Sequence, residues 1–406
     1  MALVPAQRAR AARLAVSVLF FANGAASASI LPRLPAIKSG LGLTNAEVGA
    51  AVAALPLGGL IAGGLAGILI ARFGSGRVAA IAGTLDVLAL AALGLAPSWL
   101  ALAAAYFVMG MFDATMDASM NTHGVGVERV YGRSILQGFH GSWSAGCMVA
   151  GAVGALAAWA AIPVDVHLSV VAVVLAAAVV AAARGLLPAA VADARDSIEG
   201  EAEIRIHPRN ARHLLRVLLP VAMLGILCVV VQTAAATWSA LFGTDVLGLA
   251  AGLAAVGYVL YAAAMTVSRM VNDRWVDGLG PTRFVRIGAT VSVVALVAVI
   301  ASAPLHAPLL AFAGFAGIGV GTSPMFPVMV ATAGSRPGIP AGYGVALTSW
   351  MVRVGLIVAP ALIGAAADVL GLAMALWIPT AAAVAIWLLA PRMTGNGIAP
   401  ARRAAL

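Results

Sequence analysis

The sequence predicts an all-α membrane protein, with twelve transmembrane helices in two pseudo-symmetric six-helix bundles. Three observations predict it. Of the 406 residues, 62% are hydrophobic and 10% charged, with mean hydropathy +1.03; a soluble chain of this length needs more polar surface around its core. Apolar runs of about 20 residues, each able to cross about 30 Å of hydrocarbon, recur from one end to the other. A glycine-and-basic landmark after the second run returns after the eighth.

Span one (14–36) follows Arg8, Arg10 and Arg13 without a cleavage site, so it reads as a cytoplasmic start and not as a removed signal peptide. Span two (46–70) carries Gly58, Gly59, Gly63, Gly64 and Gly67, which permit close helix approach. Span three (77–96) is apolar except for Asp86, to which the sequence assigns no role. Span four (99–123) bears a polar stripe, and span five (134–160) mixes glycine with Gln137, His140 and Ser144. Span six (165–187) is almost pure Ala, Val and Leu; spans nine (283–303) and twelve (370–390) match it, as a lipid-facing layer would. Spans seven (214–242), eight (249–273), ten (306–333) and eleven (341–367) complete the set, with Pro324 and Pro327 expected to kink span ten. The charged stretch 188–213, from Asp193 to Arg209, reads as a cytoplasmic linker between an N-terminal bundle (1–187) and a C-terminal bundle (214–406).

The net charge of +9 does not point to nucleic acid, because the basic residues sit in short clusters between apolar runs with no interleaved aromatics. With the N-terminus in the cytoplasm, 20 of the 24 Lys and Arg fall on that side; Arg33 and Lys38 fall outside, and Arg269 and Arg353 lie within spans. The positive-inside rule therefore puts both termini in the cytoplasm. Cys147 and Cys228 both lie in apolar runs and read as free thiols; no metal site, disulfide or cofactor is expected.

The repeat is explicit. Gly67 to Arg77 and Asp273 to Arg283 align at an offset of 206 residues, and Gly141-Ser-Trp143 and Thr348-Ser-Trp350 at 207. Twelve spans as six plus six, with this loop after spans two and eight, resemble the major facilitator superfamily, whose loop follows Gly-x-x-x-Asp-Arg-x-Gly-Arg-Arg. The first copy keeps Gly67, Arg72, Gly74 and Arg77 but has Ala71 in the Asp position; the second keeps Asp277, Gly280 and Arg283 but has Gly278 in the Arg position. The missing acid at Ala71 removes a group that usually helps lock one gating state of the family. The run from Asp117 through Asn121 to Trp143 and Ser144, with Gln232 to Leu241, is similar to a poorly characterised bacterial subgroup near the sugar-permease branches; there Gln232 and Thr237 stand where Glu and Asp are expected. The resemblance implies that spans one, four, seven and ten surround a central cavity, flanked by two, five, eight and eleven.

Polar residues inside a membrane are costly, which makes each a functional candidate. Asp113, Asp117 and Asn121, spaced by four, share one stripe of span four. Two carboxyls a turn apart in a low-dielectric cavity resist being ionised together, which suits proton coupling; a structural hydrogen-bond network is the alternative. Arg353, mid-span in eleven, needs a carboxylate partner or an anionic substrate group. His140 titrates near neutrality and suits a proton relay, or it is a neutral hydrogen-bonding group. Asn23, Gln137, Asn121 and Gln232 are candidate substrate hydrogen-bonders, and Trp143, Trp238 and Trp350 are stacking surfaces or packing groups. Arg72, Arg77, Arg269, Asp273, Arg274 and Asp277 are the expected cytoplasmic gate.

A secondary transporter follows: a monomer moving a small organic solute by alternating access with protons, in symport. No Gly-x-x-x-x-Gly-Lys-Ser/Thr loop supplies nucleotide drive. Export is the alternative, but the exporters' Gly-x-x-x-Gly-Pro-x-x-Gly-Gly pattern is matched in span five only by Gly146, Gly151 and Gly154, without the proline. An intramembrane aspartyl enzyme needs its carboxyls on two facing helices, and a non-transporting sensor remains a minor reading. The expected partners are the solute, protons and lipid.

Overall fold

The structure is a computed structural model describing residues 5–193, 208–325, 328–329, 332 and 341–393, without the side chains of 208–218, 221–222, 272–277, 341–349 and 393. All regular structure among these residues is helical. Span one is Ala6–Ser29, followed by the short helix Leu34–Leu41; spans two to six are Asn45–Phe73, Ser75–Gly94, Trp99–Tyr131, Leu136–Trp159 and Val164–Ala183. Span seven is Pro208–Ala236 and, after a break, Ser239–Asp245; spans eight to ten are Ala251–Leu279, Pro281–Leu305 and Pro308–Thr322. Span eleven is Ala341–Leu370, and span twelve is Leu372–Ala375 with Trp377–Leu389. Ten of these are long and apolar enough to cross a bilayer, eleven with the span-seven pair, bent by 44°, counted as one. Pro308–Thr322, a shorter apolar helix, holds the place of the twelfth.

The helix ends follow local chemistry. Thr44 accepts the Glu47 N–H while the Glu47 carboxylate accepts the Thr44 N–H, a capping box that starts span two. Ser98 caps span four. That helix runs on to Tyr131, past the expected 123, because nothing breaks it before Gly132, which turns left-handed at φ 73°. The Glu128 carboxylate then accepts the N–H groups of Ile135 and Leu136 and so starts span five. Gly74 and Gly280, the aligned glycines of the repeated loop, adopt the same backbone conformation, φ/ψ 85°/146° and 77°/156°. Few residues other than glycine take that geometry. The side chains of the landmark at 348–349 lie outside the described set, and Pro327 lies outside the described residues.

The packing repeats as well. Spans two and four, one and five, three and four, three and six, and one and six pack together; so do eight and ten, seven and eleven, nine and ten, nine and twelve, and seven and twelve. Each pair recurs six spans later. The halves meet through two against eleven and five against eight, which is again one contact under that symmetry.

These contacts concentrate at one face, which carries the connection between spans one and two (the 1–2 face). Lys38 pairs with Asp245, and the Asp368 carboxylate accepts the free N–H groups of Asn45 and Ala46 at 2.8 Å each, capping span two from the other half. Gly49 lies against the Pro360 backbone, so close that a Cβ there would collide with it. Among the described residues every hydrogen bond between the halves lies on this face.

Candidate functional site

The polar atoms of the N-terminal half converge on span four. Asn23 of span one donates through Nδ2 to Asp113 Oδ1 at 2.8 Å, and Trp143 Nε1 of span five donates to Asn23 Oδ1 at 2.9 Å. An indole N–H can only donate, so the amide oxygen must face Trp143 and the amide nitrogen must face Asp113. One buried amide thus ties three helices to one carboxyl. One turn on, Asn121 Nδ2 donates to Asp117 Oδ1 at 3.0 Å and to the Asp117 carbonyl at 2.9 Å. Asp113, Asp117 and Asn121 are half-buried, while Gln137 and His140 are exposed. The His140 ring packs edge-on against Phe20, 5.2 Å between centroids.

The C-terminal half sends in cations. Arg353 lies within electrostatic reach of both Asp113 and Asp117, and His140 within reach of Asp117. A methyl on Gly59 of span two would stand 2.8 Å from Arg353 Nη1 and 3.3 Å from the Ala114 side chain, so the guanidinium lies over the seam between spans two and four. Arg353 makes no ion pair within 4 Å with either carboxyl: among the described residues that contact belongs to Lys38 and Asp245 alone. Arg269 of span eight acts on His140, and its Nε is buried without a partner.

Other candidates fall elsewhere. Trp238 sits at the break of span seven, fully buried, its indole nitrogen without a partner, and the adjacent Ser239 hydroxyl is likewise unpaired. Trp350 is 54% exposed. Half-buried Gln232 donates to Cys228 Sγ at 3.6 Å on its own helix. Arg72 and Arg77 are exposed, Arg72 lying over the Phe73 ring. The side chains of Asp273, Arg274 and Asp277 lie outside the described set. Asp86 is fully buried in span three, with neither carboxyl oxygen hydrogen-bonded.

Sequence reasoning missed two clusters. The loop at Ala71 does have a carboxylate, supplied by Asp193, which was assigned to the solvated linker. Asp193 accepts the Ser75 N–H at 3.0 Å and the Ser75 hydroxyl, and Ser75 Oγ is 2.9 Å from His123 Nδ1. Because Leu187 N–H donates to His123 Nε2, the imidazole proton belongs on Nδ1 and points at Ser75. The other miss is the 1–2 face contact of Asp368, whose only signal was the capping box at the helix it meets.

Comparison with known proteins places this arrangement. The Major Facilitator Superfamily model matches residues 16–341. An uncharacterized MFS-type transporter of Yersinia pestis is 30% identical over 368 residues, covering 89% of this chain and 91% of that one. Among solved structures, a variant of the nucleoside transporter NupG superposes with TM-score 0.78 at 12% identity over 94% of this chain and 100% of that one. A D-xylose–proton symporter does so with TM-score 0.70 at 15% identity, over 95% and 97%. The chain belongs to the major facilitator superfamily of membrane transporters.

Proposed function

We propose that this transporter moves a small polar organic solute into the cell by proton symport across the bacterial inner membrane, with both termini cytoplasmic. One observation carries the reading: two carboxyls a turn apart on span four, each with one amide donor, lie within reach of a cation from the opposite half. Such a site has two self-consistent states. With a carboxylate ionised, the Arg353 charge is balanced and the halves attract across the cavity. With the carboxyl protonated, that attraction is lost and Arg353 is released to a solute acceptor group. Asn121 and Gln137 offer hydrogen bonds to a hydroxylated or carboxylated solute, and Trp143 a surface beside them. The D-xylose–proton symporter among the structural neighbours supports the fold as one compatible with such coupling. The closed 1–2 face, outside by the charge count, would leave the site open to the cytoplasm.

The test is reconstitution in liposomes containing a pH dye, with a panel of sugars, nucleosides and organic acids, and Asp117→Asn in parallel. Symport predicts inward protons with the solute and none in the variant. Protons moving against the solute would make the chain an exporter, and normal coupling in Asp117→Asn would remove span four from the mechanism.

A further inference from the structure

Arg33 is one of two basic residues on the side that the charge rule leaves poor in them, and the transport reading gives it no task. It is 4% exposed. Nη2 donates to the Ile162 carbonyl, while Nε and Nη1 are buried with no partner. Within its electrostatic reach is His167, 5% exposed, both ring nitrogens unpartnered. A buried guanidinium with two idle donors beside an imidazole with none satisfied is a costly arrangement unless something accepts from it.

The place for an acceptor is present. Arg33 lines a cavity of about 330 Å³ on the 1–2 face, walled otherwise by apolar residues, Ala158, Ile162 and Val164 among them. Its remaining wall is Ala251 of the opposite half. Ala251 is the first residue of the 29-residue helix of span eight, whose leading N–H groups have no intrahelical acceptor. The residues before it, Leu249 and Ala250, have no side chain able to cap it. An uncapped helix N-terminus carries about half a positive charge and binds anions. A guanidinium from one half and a helix N-terminus from the other therefore border one otherwise apolar cavity. The nearby carboxylate, Asp165 on the first turn of span six, is exposed.

We propose that this cavity is a binding site for an oxyanion, the phosphodiester of an anionic lipid, held by Arg33 from one half and the span-eight N-terminus from the other. The apolar walls and the exposed Trp159 and Ile162 at 78% and 39% favour a phosphate attached to acyl chains over a free ion. Because the ligand touches both halves, its occupancy stabilises the closed 1–2 face.

The experiment uses the full chain in a non-ionic detergent. The ligands are phosphatidylglycerol, phosphate-free diacylglycerol and inorganic phosphate, read by thermal unfolding and by native mass spectrometry of retained lipid. Phosphatidylglycerol should raise the unfolding midpoint and be retained where diacylglycerol is not, with affinity at least about tenfold weaker in Arg33→Gln. Arg33→Lys, which keeps the charge, should lie between. Stabilisation by inorganic phosphate alone, still lost in Arg33→Gln, would keep the anion site and overturn its lipid source. Equal effects of phosphatidylglycerol and diacylglycerol on the wild type would overturn the site, even if Arg33→Gln failed to fold. None of these outcomes depends on transport.

Discussion

The two halves share a packing plan but not a chemistry. In the N-terminal half the polar side chains meet one another: Trp143, Asn23 and Asp113 form one chain of hydrogen bonds, and Asn121 with Asp117 another. At the 206-residue offset, Asn23 and Asp113 correspond to Val229 and Gly319 in the C-terminal half. Span seven has Gln232 bonded to a thiol and buries an idle Trp238 nitrogen, and the main polar contribution to the centre is the pair Arg353 and Arg269. Duplication preserves helix pairing because that depends on backbone approach and small residues. It does not preserve side-chain chemistry, which can be carried by one copy once the other presents cations.

The sharpest way to break that asymmetry is to remove the cation. Arg353→Gln should lower coupled uptake at least about tenfold, since a pair of carboxyls left without its cation loses more than about 1.4 kcal/mol at the coupling step. Arg353→Lys should recover part of it, because a point charge replaces the planar fork. Uptake in proteoliposomes decides. If Arg353→Gln transports normally, Arg353 contributes no charge to coupling and the comparison loses its central cation.

Asn23 tests the other half. Asn23→Leu leaves the Trp143 N–H without its acceptor and Asp113 without its donor, and should destabilise the protein by about 1–3 kcal/mol. Denaturant unfolding in detergent reads this, with Gln232→Leu as the C-terminal counterpart. Gln232 donates only to a weak thiol acceptor at 3.6 Å, so its loss should be nearly silent.

How much of this was legible follows from what each signal measures. Hydropathy and the 206-residue repeat revealed the spans and the duplicated loop, because both are properties of a local stretch, and Gly74 and Gly280 match down to φ and ψ. The spacing of Asp113, Asp117 and Asn121 put them on one stripe, again a local fact. The partners did not follow. That Asn23 faces Trp143, 120 residues away, depends on how spans one and five cross. Trp238 read equally as a stacking surface or a packing group, and only the structure shows that it lies in the core, at the bend in span seven. Asp193 looked solvated because it is followed by charged residues, yet it folds back to cap span three at Ser75.

The contact between halves offers a gentler test. The Asp368 carboxylate on the span-two N-terminus is worth about 0.3–1 kcal/mol as a charge on a helix end. Asp368→Asn should therefore favour opening of the 1–2 face by up to about fivefold. Spin labels at Ser39 and Gly248, on opposite halves, would report a longer mean distance. No change in that distribution would mean that the glycine-lined crossing of spans two and eleven, where Gly49 meets Pro360, holds the face by itself.

The smallest effect belongs to Lys38 and Asp245, the other polar contact across that face. Both are partly exposed, at 18% and 33%, so water and salt screen them and the pair contributes below about 1 kcal/mol. Lys38 Nζ also donates to Asn45 Oδ1 at 2.7 Å, a residue of its own half, which retains part of its enthalpy when the face opens. Lys38→Gln should shift the same spin-label distances less than Asp368→Asn does, and the difference from wild type should vanish in high salt while that of Asp368→Asn persists in part. The ranking has a geometric cause: Asp368 satisfies two backbone N–H groups that have no other acceptor, whereas Lys38 exchanges one partner for water. An equal or larger effect of Lys38→Gln would show that charge, and not helix capping, joins the two halves.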